Sequence, residues 1–335
     1  MRTVYVTEPG ATLARDGQTL QLRVKREVRA TMPVFELEQL VLVGNIVLTP
    51  GAIDLLLGRG VDTVFVSRYG RYRGRLVAGD SWRNVGLRFA QYERLGDAAG
   101  ALALARAVVQ GKIRNQRTLL LRHGRRHGRS PELERADIAL RAALAHLELA
   151  TTMDTVRGCE GAAAAAYFGA FGKLLRNSSL RFEGRTRRPP RDPVNALLSF
   201  GYTLLSNVVE AAVHTVGLDP YVGALHAVSA GRPSLVCDLV EEFRPCVVDS
   251  LVLAMVNQSV LGPEDFVDED ETEGVTMKRD ALRYFLELFE RRMDKMTAYA
   301  PQGRSLPWRQ VIVEQVRRLA RDFLGGETYE AFVTR

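Results

Sequence analysis

The sequence predicts an α+β protein with a small N-terminal β-sandwich-like domain followed by a larger all-α C-terminal domain. Through residues 1–80 apolar residues alternate with a period of two, as half-buried strands do. After about Ser81 they recur at helical spacing, and proline becomes rare until Pro189. A length of 335 residues suggests about two domains. We place them at residues 1–80 and 84–335, with a boundary near residues 79–84.

The N-terminal elements follow from alternation and turn residues. Strands are predicted at residues 2–6, 19–24, 36–44, 45–48, 61–67 and 73–77. Asp16-Gly17, between the first two strands, favours a hairpin. Thr49-Pro50 predicts the start of a short helix through Leu57, because proline is favoured at the first helical position.

Helices are predicted along the rest of the chain. Their ranges are 83–95, 97–121, 131–150, 155–175, 193–216, 234–242, 246–260, 278–296 and 308–324. Residues 123–129 are expected to form an exposed loop, because they combine two glycines with basic residues.

Composition excludes several classes of protein. Three cysteines (Cys159, Cys237 and Cys246) at no paired spacing argue against a disulfide framework or a zinc ribbon. The N-terminus lacks the basic and apolar regions of a signal peptide, and no uninterrupted apolar run approaches the length that spans a bilayer. We therefore expect reduced thiols, a cytoplasmic protein and no membrane partner.

The distribution of charge favours a phosphate-bearing partner. The net charge is +7, and two runs, residues 112–129 and 173–191, each hold seven basic residues with at most one acid. Residues 264–273, by contrast, hold seven acids and no base. A single charged run is usually a solvated face, but two basic runs flanking one carboxylate, Glu160, favour phosphate binding.

Four side chains are candidates for a metal site. Glu160 opens a helix rich in small residues, and His226 precedes Asp238 by twelve and Glu241 by fifteen residues. Asp238 and Glu241 are three apart and share a helix face, where two carboxylates repel unless a cation lies between them. Two carboxylates and one imidazole suit Mn²⁺ or Mg²⁺.

Each candidate also has an ordinary structural interpretation. A carboxylate at a helix N-terminus is favoured by the helix dipole, which would account for Glu160. A histidine in an apolar setting, such as His226, is more often a hydrogen-bonded core residue than a ligand. Asp238 and Glu241 would be a solvated helix face with Arg244 as their local partner.

Four motifs in this order resemble one family, the CRISPR-associated spacer-integration endonuclease, which is the universal "Cas-one" subunit of adaptation. The motifs are Gly158-Cys159-Glu160-Gly161, the arginine-proline stretch 187–202, Gly223-Ala224-Leu225-His226 and residues 234–245. Lys112-Ile113-Arg114-Asn115-Gln116 also resembles the family's early helical signature. The resemblance covers essentially the whole chain, and residues 264–273 match no motif of the family.

The resemblance implies a site and a reaction. Glu160, His226 and Glu241 fall on the family's catalytic metal ligands for Mg²⁺ or Mn²⁺, and Asp238 on an additional nearby acid that binds the metal or orients it. Phosphate contacts are expected from Arg187, Arg188 and Arg244. The implied activity is that of a metal-dependent DNA endonuclease and integrase, which joins spacer DNA to a CRISPR array by transesterification.

The resemblance also implies partners. They are double-stranded DNA, both as spacer precursor and as CRISPR repeat, and a second copy of the chain bound largely through the β-rich domain. A small ferredoxin-like "Cas-two" dimer is expected between two such homodimers.

Two other functions remain open at this point. A non-catalytic nucleic-acid-binding scaffold would use the acids only structurally and would have no metal-dependent strand transfer to lose. A metal-dependent phosphatase acting on small phosphate esters would leave the two long basic runs unexplained.

Overall fold

The chain forms two compact units, one rich in strands and one mainly helical. The structure, a computed structural model, describes residues 2–25, 27–67, 72–76, 84–128, 130–187, 189–269 and 274–334. The first unit comprises Met1–Arg83 with Arg283–Glu290, and the second comprises Asn84–Leu282 with Arg291–Arg335. The predicted α+β fold class is confirmed.

Two four-stranded sheets make up the first unit. Its strands are β1 (Arg2–Val6), β2 (Thr12–Asp16), β3 (Thr19–Val24), β4 (Glu27–Pro33), β5 (Leu37–Val43), β6 (Val47–Leu48), β7 (Asp62–Val66) and β8 (Tyr72–Leu76). One sheet has the order β1-β5-β7-β8, and the other has the order β4-β3-β2-β6. Each sheet mixes parallel and antiparallel pairs.

The core of this unit is aliphatic. Leu13 and Leu20 from one sheet and Leu40 and Leu42 from the other belong to a single buried cluster. Helix α1 (Pro50–Gly58) adds three buried side chains, Ala52, Leu55 and Leu56. Thr49 caps this helix by accepting a hydrogen bond from the backbone N–H of Ala52, so the predicted helix start is confirmed.

The predicted hairpin is present, but its first strand is β2 and not the strand at residues 2–6. Strand β3 pairs with β2 across the Asp16-Gly17 turn, whereas β1 pairs in parallel with β5 in the other sheet. Gly17 adopts a φ of 59°, which favours glycine. Strand β4 escaped prediction because nearly all its side chains are exposed and leave no alternation of apolar residues.

The second unit is built on helices. They are α2 (Val85–Gly96), α3 (Ala98–His127), α4 (Pro131–Glu148), α5 (Met153–Phe171), α6 (Pro193–Val216), α7 (Ser234–Arg244), α8 (Ser250–Asn257), α9 (Arg279–Asp294) and α10 (Trp308–Phe323). The middle of α9 groups with the first unit.

Of the helical boundaries that differ from the prediction, two change the path of the chain near the site: the end of α3 and the junction of α7 with α8. Helix α3 continues through His127, so most of the expected loop at 123–129 is helical. Helices α7 and α8 are joined by a π-helical turn, Pro245–Asp249, so Pro245 does not end the helix. A proline lacks the backbone donor that an α-helical turn needs, and the wider turn accommodates it.

The second unit is not all-α, because it contains two hairpins. Strands β9 (Phe266–Glu269) and β10 (Gly274–Met277) form one, and β11 (Met296–Tyr299) and β12 (Arg304–Pro307) form the other. Strand β9 lies in the acidic segment 264–273, and residues 270–273 lie outside the described residues.

Helix α6 passes through the core of the helical unit. It is the one helix in the described ranges that is long and apolar enough to span a membrane. However, 72% of its most apolar window is buried within the protein, as in the central helix of a packed core. Its N-terminus, capped by Asp192, lies within the arginine-proline stretch and so helps to build the site.

Candidate active site

Two of the predicted site residues, Glu160 and Glu241, meet at a single cation. Lys112, on α3, forms ion pairs with Glu160 of α5 and with Glu241 of α7, the latter at 2.6 Å between Nζ and Oε2. Lys112 and Glu241 are buried, whereas the Glu160 side chain is 25% exposed. Three helices therefore bring two carboxylates and one ammonium group together.

Glu241 is held in its ionised form by its neighbours. Burial acts to raise the pKa of this carboxyl, but the positive charges of Arg244 and Lys112 outweigh it and lower the pKa to about 2. Arg244 Nη1 donates a hydrogen bond of 2.5 Å to Glu241 Oε1. The expected local pairing of Arg244 with this helix face is thus present in the structure.

His226 is oriented by Asp238, which is fully buried. Asp238 accepts hydrogen bonds from the backbone N–H groups of Ala224, Leu225 and His226 at 2.6–3.0 Å. Its Oδ1 also lies 2.7 Å from His226 Nδ1. A carboxylate can only accept, so a neutral imidazole donates from Nδ1 and keeps a lone pair on Nε2. Asp238 is therefore placed to orient His226.

A glycine permits this approach. A Cβ atom at Gly223 would lie 2.7 Å from Asp238 Oδ2 and 2.6 Å from the backbone carbon of Ser234. No side chain fits at such distances, so the backbone before His226 can reach α7 only with glycine at this position.

The predicted ligand set fits a hard divalent cation by its chemistry. In the described residues, no three His, Cys, Asp or Glu side chains already lie together as a formed metal site, and Lys112 instead lies between Glu160 and Glu241. However, Glu241 presents a buried oxygen, Oε2, which Lys112 contacts at 2.6 Å, and His226 presents Nε2. Carboxylate oxygens with one imidazole suit Mg²⁺ or Mn²⁺.

A narrow cleft beside the carboxylates is lined by positive charge. Lys112, Arg185, Arg187 and Arg244 all line it, together with the aromatic ring of Tyr202. The guanidinium carbons of Arg185 and Arg244 lie 5.4 and 4.7 Å from the centre of that ring, which supports both cations in place. Two of the predicted phosphate ligands, Arg187 and Arg244, therefore share one cleft.

Buried Asn195 organises the arginine-proline stretch. Its Oδ1 accepts hydrogen bonds from Arg185 Nη1 and from the backbone N–H of Thr186. Its Nδ2 donates to Asp192 and to the backbone carbonyl of Gly184. One amide thus fixes the loop on both sides of Arg187, whereas Arg188 lies outside the described residues.

The pKa of Glu242, the next residue after Glu241, is shifted in the opposite direction. Burial raises the pKa of Glu242 to about 8 despite hydrogen bonds from Tyr329 and the backbone N–H of Phe332. Asn115 of α3 binds the backbone carbonyls of both Glu242 and Phe332. The C-terminal segment therefore fixes α7 to α3 beside the site.

Sequence reasoning missed three residues that build this site. Lys112 and Asn195 both lay within recognised motifs, but nothing in the sequence indicated that Lys112 binds across helices or that Asn195 fixes the loop before its own helix. Asp249, fully buried, accepts hydrogen bonds from Tyr202 and Tyr167 at 2.5 and 2.8 Å. Asp249 ends the π-helical turn that begins at Pro245, in an apolar part of the sequence. Nothing in that sequence indicates which side chains its carboxylate contacts.

The buried Asp249 makes stability depend on pH. Burial raises its pKa to about 6, so between about pH 4 and 6 the folded chain binds a proton that the unfolded chain releases. Stability should therefore fall as the pH rises through this window. In Asp249→Asn, the decrease in the free energy of unfolding between pH 4 and 6 should be smaller than in wild type by on the order of 1–3 kcal/mol. Urea unfolding at pH 4, 5, 6 and 7 measures it, and equal pH slopes for wild type and variant would exclude this role for Asp249.

Comparisons with known proteins agree on one family. The sequence matches the family described as CRISPR associated protein Cas1 over residues 4–291. A CRISPR-associated endonuclease Cas1 3 from Thermus thermophilus is 39% identical over 336 residues, covering 99% of this chain and 97% of that protein. A CRISPR-associated endonuclease Cas1 1 from Chlorobaculum tepidum is 34% identical over 341 residues, covering 100% and 99%.

Solved structures agree with the sequence relatives. A CAS1 protein from Thermotoga maritima is similar with a TM-score of 0.84 and 26% identity, covering 99% of this chain and all of the other. A casposase bound to integration product has a TM-score of 0.87 at 23% identity, covering 99% and 93%, which shows the fold alone. The family match, the relatives and the motifs around Glu160, His226 and Glu241 together establish that this chain belongs to the Cas1 family of CRISPR-associated proteins.

Proposed function

We propose that this chain is a divalent-metal-dependent DNA endonuclease and integrase that inserts spacer DNA into a CRISPR array. The observation that carries the proposal is the pairing of Glu160 and Glu241 on one cation, beside a cleft lined by arginines. The endonuclease names of relatives 34–39% identical to this chain support the reaction class.

Glu160, His226 and Glu241 would hold the ion, with Asp238 orienting His226. Bound there, Mg²⁺ or Mn²⁺ would supply Lewis-acid polarisation of a phosphate oxygen. Depression of the Glu241 pKa keeps this carboxylate ionised without a metal, so no proton has to leave it before an ion binds.

The arginines would bind the phosphates next to the reacting one. Arg244 is fixed by Glu241 and by the Tyr202 ring, and the loop that carries Arg187 is fixed by Asn195. Arg188, its neighbour in sequence, is proposed to contribute as well. Side chains held in place before DNA binds lose little conformational freedom on binding, which favours both affinity and accurate placement.

The proposed reaction exchanges one bond at phosphorus for another. A DNA 3′-hydroxyl attacks a phosphodiester of the CRISPR repeat, a new P–O bond forms, and the bond to the 3′-oxygen of the cut strand breaks. Water in place of the 3′-hydroxyl gives hydrolysis, so one site serves both cleavage and joining. Phosphates and not base edges would provide most contacts, because the cleft offers guanidinium groups.

The remaining assignments follow from membership of the family and are proposals. We propose a cytoplasmic homodimer, formed largely through the β-rich unit, which binds spacer precursor and repeat DNA. The dimer would assemble with a small ferredoxin-like Cas2 dimer.

A scaffold without catalysis is the alternative that one observation favours. Lys112 satisfies both glutamates by an ion pair, which is also what a purely structural cluster would show. The two functions differ in what the loss of a carboxylate does to chemistry, as opposed to DNA binding.

Loss of a proposed metal ligand should abolish joining and leave binding intact. We expect Glu160→Gln and His226→Ala to lower manganese-dependent strand transfer by about 100-fold or more, while Asp238→Asn, which only orients His226, costs about 10–100-fold. Exposed Glu134→Gln is the matched control. The assay joins a labelled duplex to repeat DNA with Cas2 present, and duplex affinity is measured in parallel. Wild-type joining rates in all three variants would remove these residues from the reaction, whereas duplex binding without metal-dependent joining by the wild-type protein would support the scaffold.

Loss of an exposed arginine in the cleft should weaken DNA binding in a salt-dependent way. We expect Arg187→Gln to lower the slope of log affinity against log salt concentration by about 0.9, with the same effect on unrelated duplex sequences. Arg321→Gln, an exposed arginine paired with Glu327, serves as the control and should leave the slope unchanged. An unchanged slope for Arg187→Gln would remove this residue from the phosphate contacts.

A further inference from the structure

Among the residues that the structure describes, the one cation that both candidate carboxylates contact is the ammonium of Lys112. Among the four charged groups in direct contact, the two positive charges of Lys112 and Arg244 balance the two negative charges of Glu160 and Glu241. A divalent ion bound by these carboxylates and by His226, whose partner Asp238 carries one further negative charge, would leave one uncompensated positive charge. Charge of that kind is costly for a buried group, so one cation has to leave the carboxylates when the ion arrives.

Lys112 is the cation that can leave. Arg244 is fixed by a 2.5 Å hydrogen bond to Glu241 and by the Tyr202 ring, whereas the Lys112 ammonium ends a flexible stem with four carbons. The backbone of α3 cannot move with it. A Cβ at Gly111 would lie 2.5 Å from that of Ala331, and Asn115 is hydrogen-bonded to two backbone carbonyls. A displacement would therefore involve the side chain alone.

A second resting place for the ammonium lies one helical turn away. Gln116 follows Lys112 by four residues, so the two side chains share one face of α3. Gln116 is 2% exposed, and its Oε1 is a buried acceptor with no hydrogen-bond partner among the described residues. Lys112 and Gln116 line the same cleft as Arg185, Arg187 and Arg244. An unused acceptor costs free energy unless a donor reaches it in some state of the protein.

We propose that Lys112 is a displaceable internal counter-ion, which holds Glu160 and Glu241 in the metal-free protein and moves toward Gln116 and the phosphate cleft when a divalent ion binds. This inference rests on the proposed function, because it takes Glu160 and Glu241 as metal ligands. Lys112 then competes with the ion in the absence of DNA. After displacement it adds a positive charge to the cleft where a DNA phosphate is expected.

Two substitutions should change metal affinity in opposite directions. Lys112→Met removes the competitor and should tighten Mn²⁺ binding to the DNA-free protein at least tenfold. Gln116→Met removes the acceptor of the displaced ammonium and should weaken Mn²⁺ binding by about tenfold, the scale of a hydrogen bond to a charged group. Lys295→Met, at an exposed lysine, is the matched control and should bind as wild type does. Mn²⁺ is titrated into the full chain, and the concentration of unbound Mn²⁺ is followed by its electron paramagnetic resonance signal.

The outcomes separate this inference from the function on which it rests. Tighter binding by Lys112→Met with weaker binding by Gln116→Met supports displacement, and a loss of packing would not produce opposite shifts. If Lys112→Met does not fold, the Gln116→Met variant still tests the inference: an Mn²⁺ affinity equal to that of wild type would overturn it. Wild-type affinity in Lys112→Met overturns it, provided that Glu241→Gln abolishes Mn²⁺ binding to otherwise wild-type protein. If Glu241→Gln and wild type bind Mn²⁺ alike, the proposed metal site itself fails, and the inference fails with it.

Discussion

Glu241 is a carboxylate withdrawn almost completely from solvent, and its need for compensating positive charge organises the helical unit. Lys112 supplies one charge from α3, and Arg244 supplies another from α7, the helix that carries Glu241. Lys112 also binds Glu160 on α5. Removing one member of a buried pair leaves a charge unsatisfied, which costs about 3–5 kcal/mol. The three helices are therefore constrained to meet at this point.

The same constraint extends around a closed ring of contacts. Arg244 packs on Tyr202 of α6, and Tyr202 and Tyr167 both donate hydrogen bonds to Asp249. Tyr167 lies on α5 two turns beyond Glu160, so the ring returns to the carboxylate that Lys112 binds. A substitution at any position is expected to affect the others, since neighbouring members of one network do not contribute independently. The arginine cleft shares Arg244 and Tyr202 with this ring, so the phosphate binding that we propose there would be coupled to the carboxylates.

Local signals in the sequence sufficed for most elements and for the residues that approach the site, but not for their contacts. Apolar periodicity located the helices, and Asp192-Pro193 located the start of α6. Exposed β4 carried no alternation, and the helices predicted at 234–242 and 246–260 are joined by a π-helical turn where a break was expected. Their spacing predicted that Asp238 and Glu241 act at one site on one helix face. In the structure they have different partners, because Asp238 binds the His226 segment and Glu241 binds Lys112. Such contacts arise only once distant helices pack, so one sequence cannot display them.

The proposed function depends on Glu160, His226 and Glu241 binding one divalent cation. Anomalous X-ray diffraction from crystals grown with manganese measures this, because the signal locates the ion independently of any assay. We expect a peak about 2–2.6 Å from a carboxylate oxygen of each glutamate and from His226 Nε2. A structure in which manganese binds elsewhere, with the Lys112 ammonium still between Glu160 and Glu241, would contradict it.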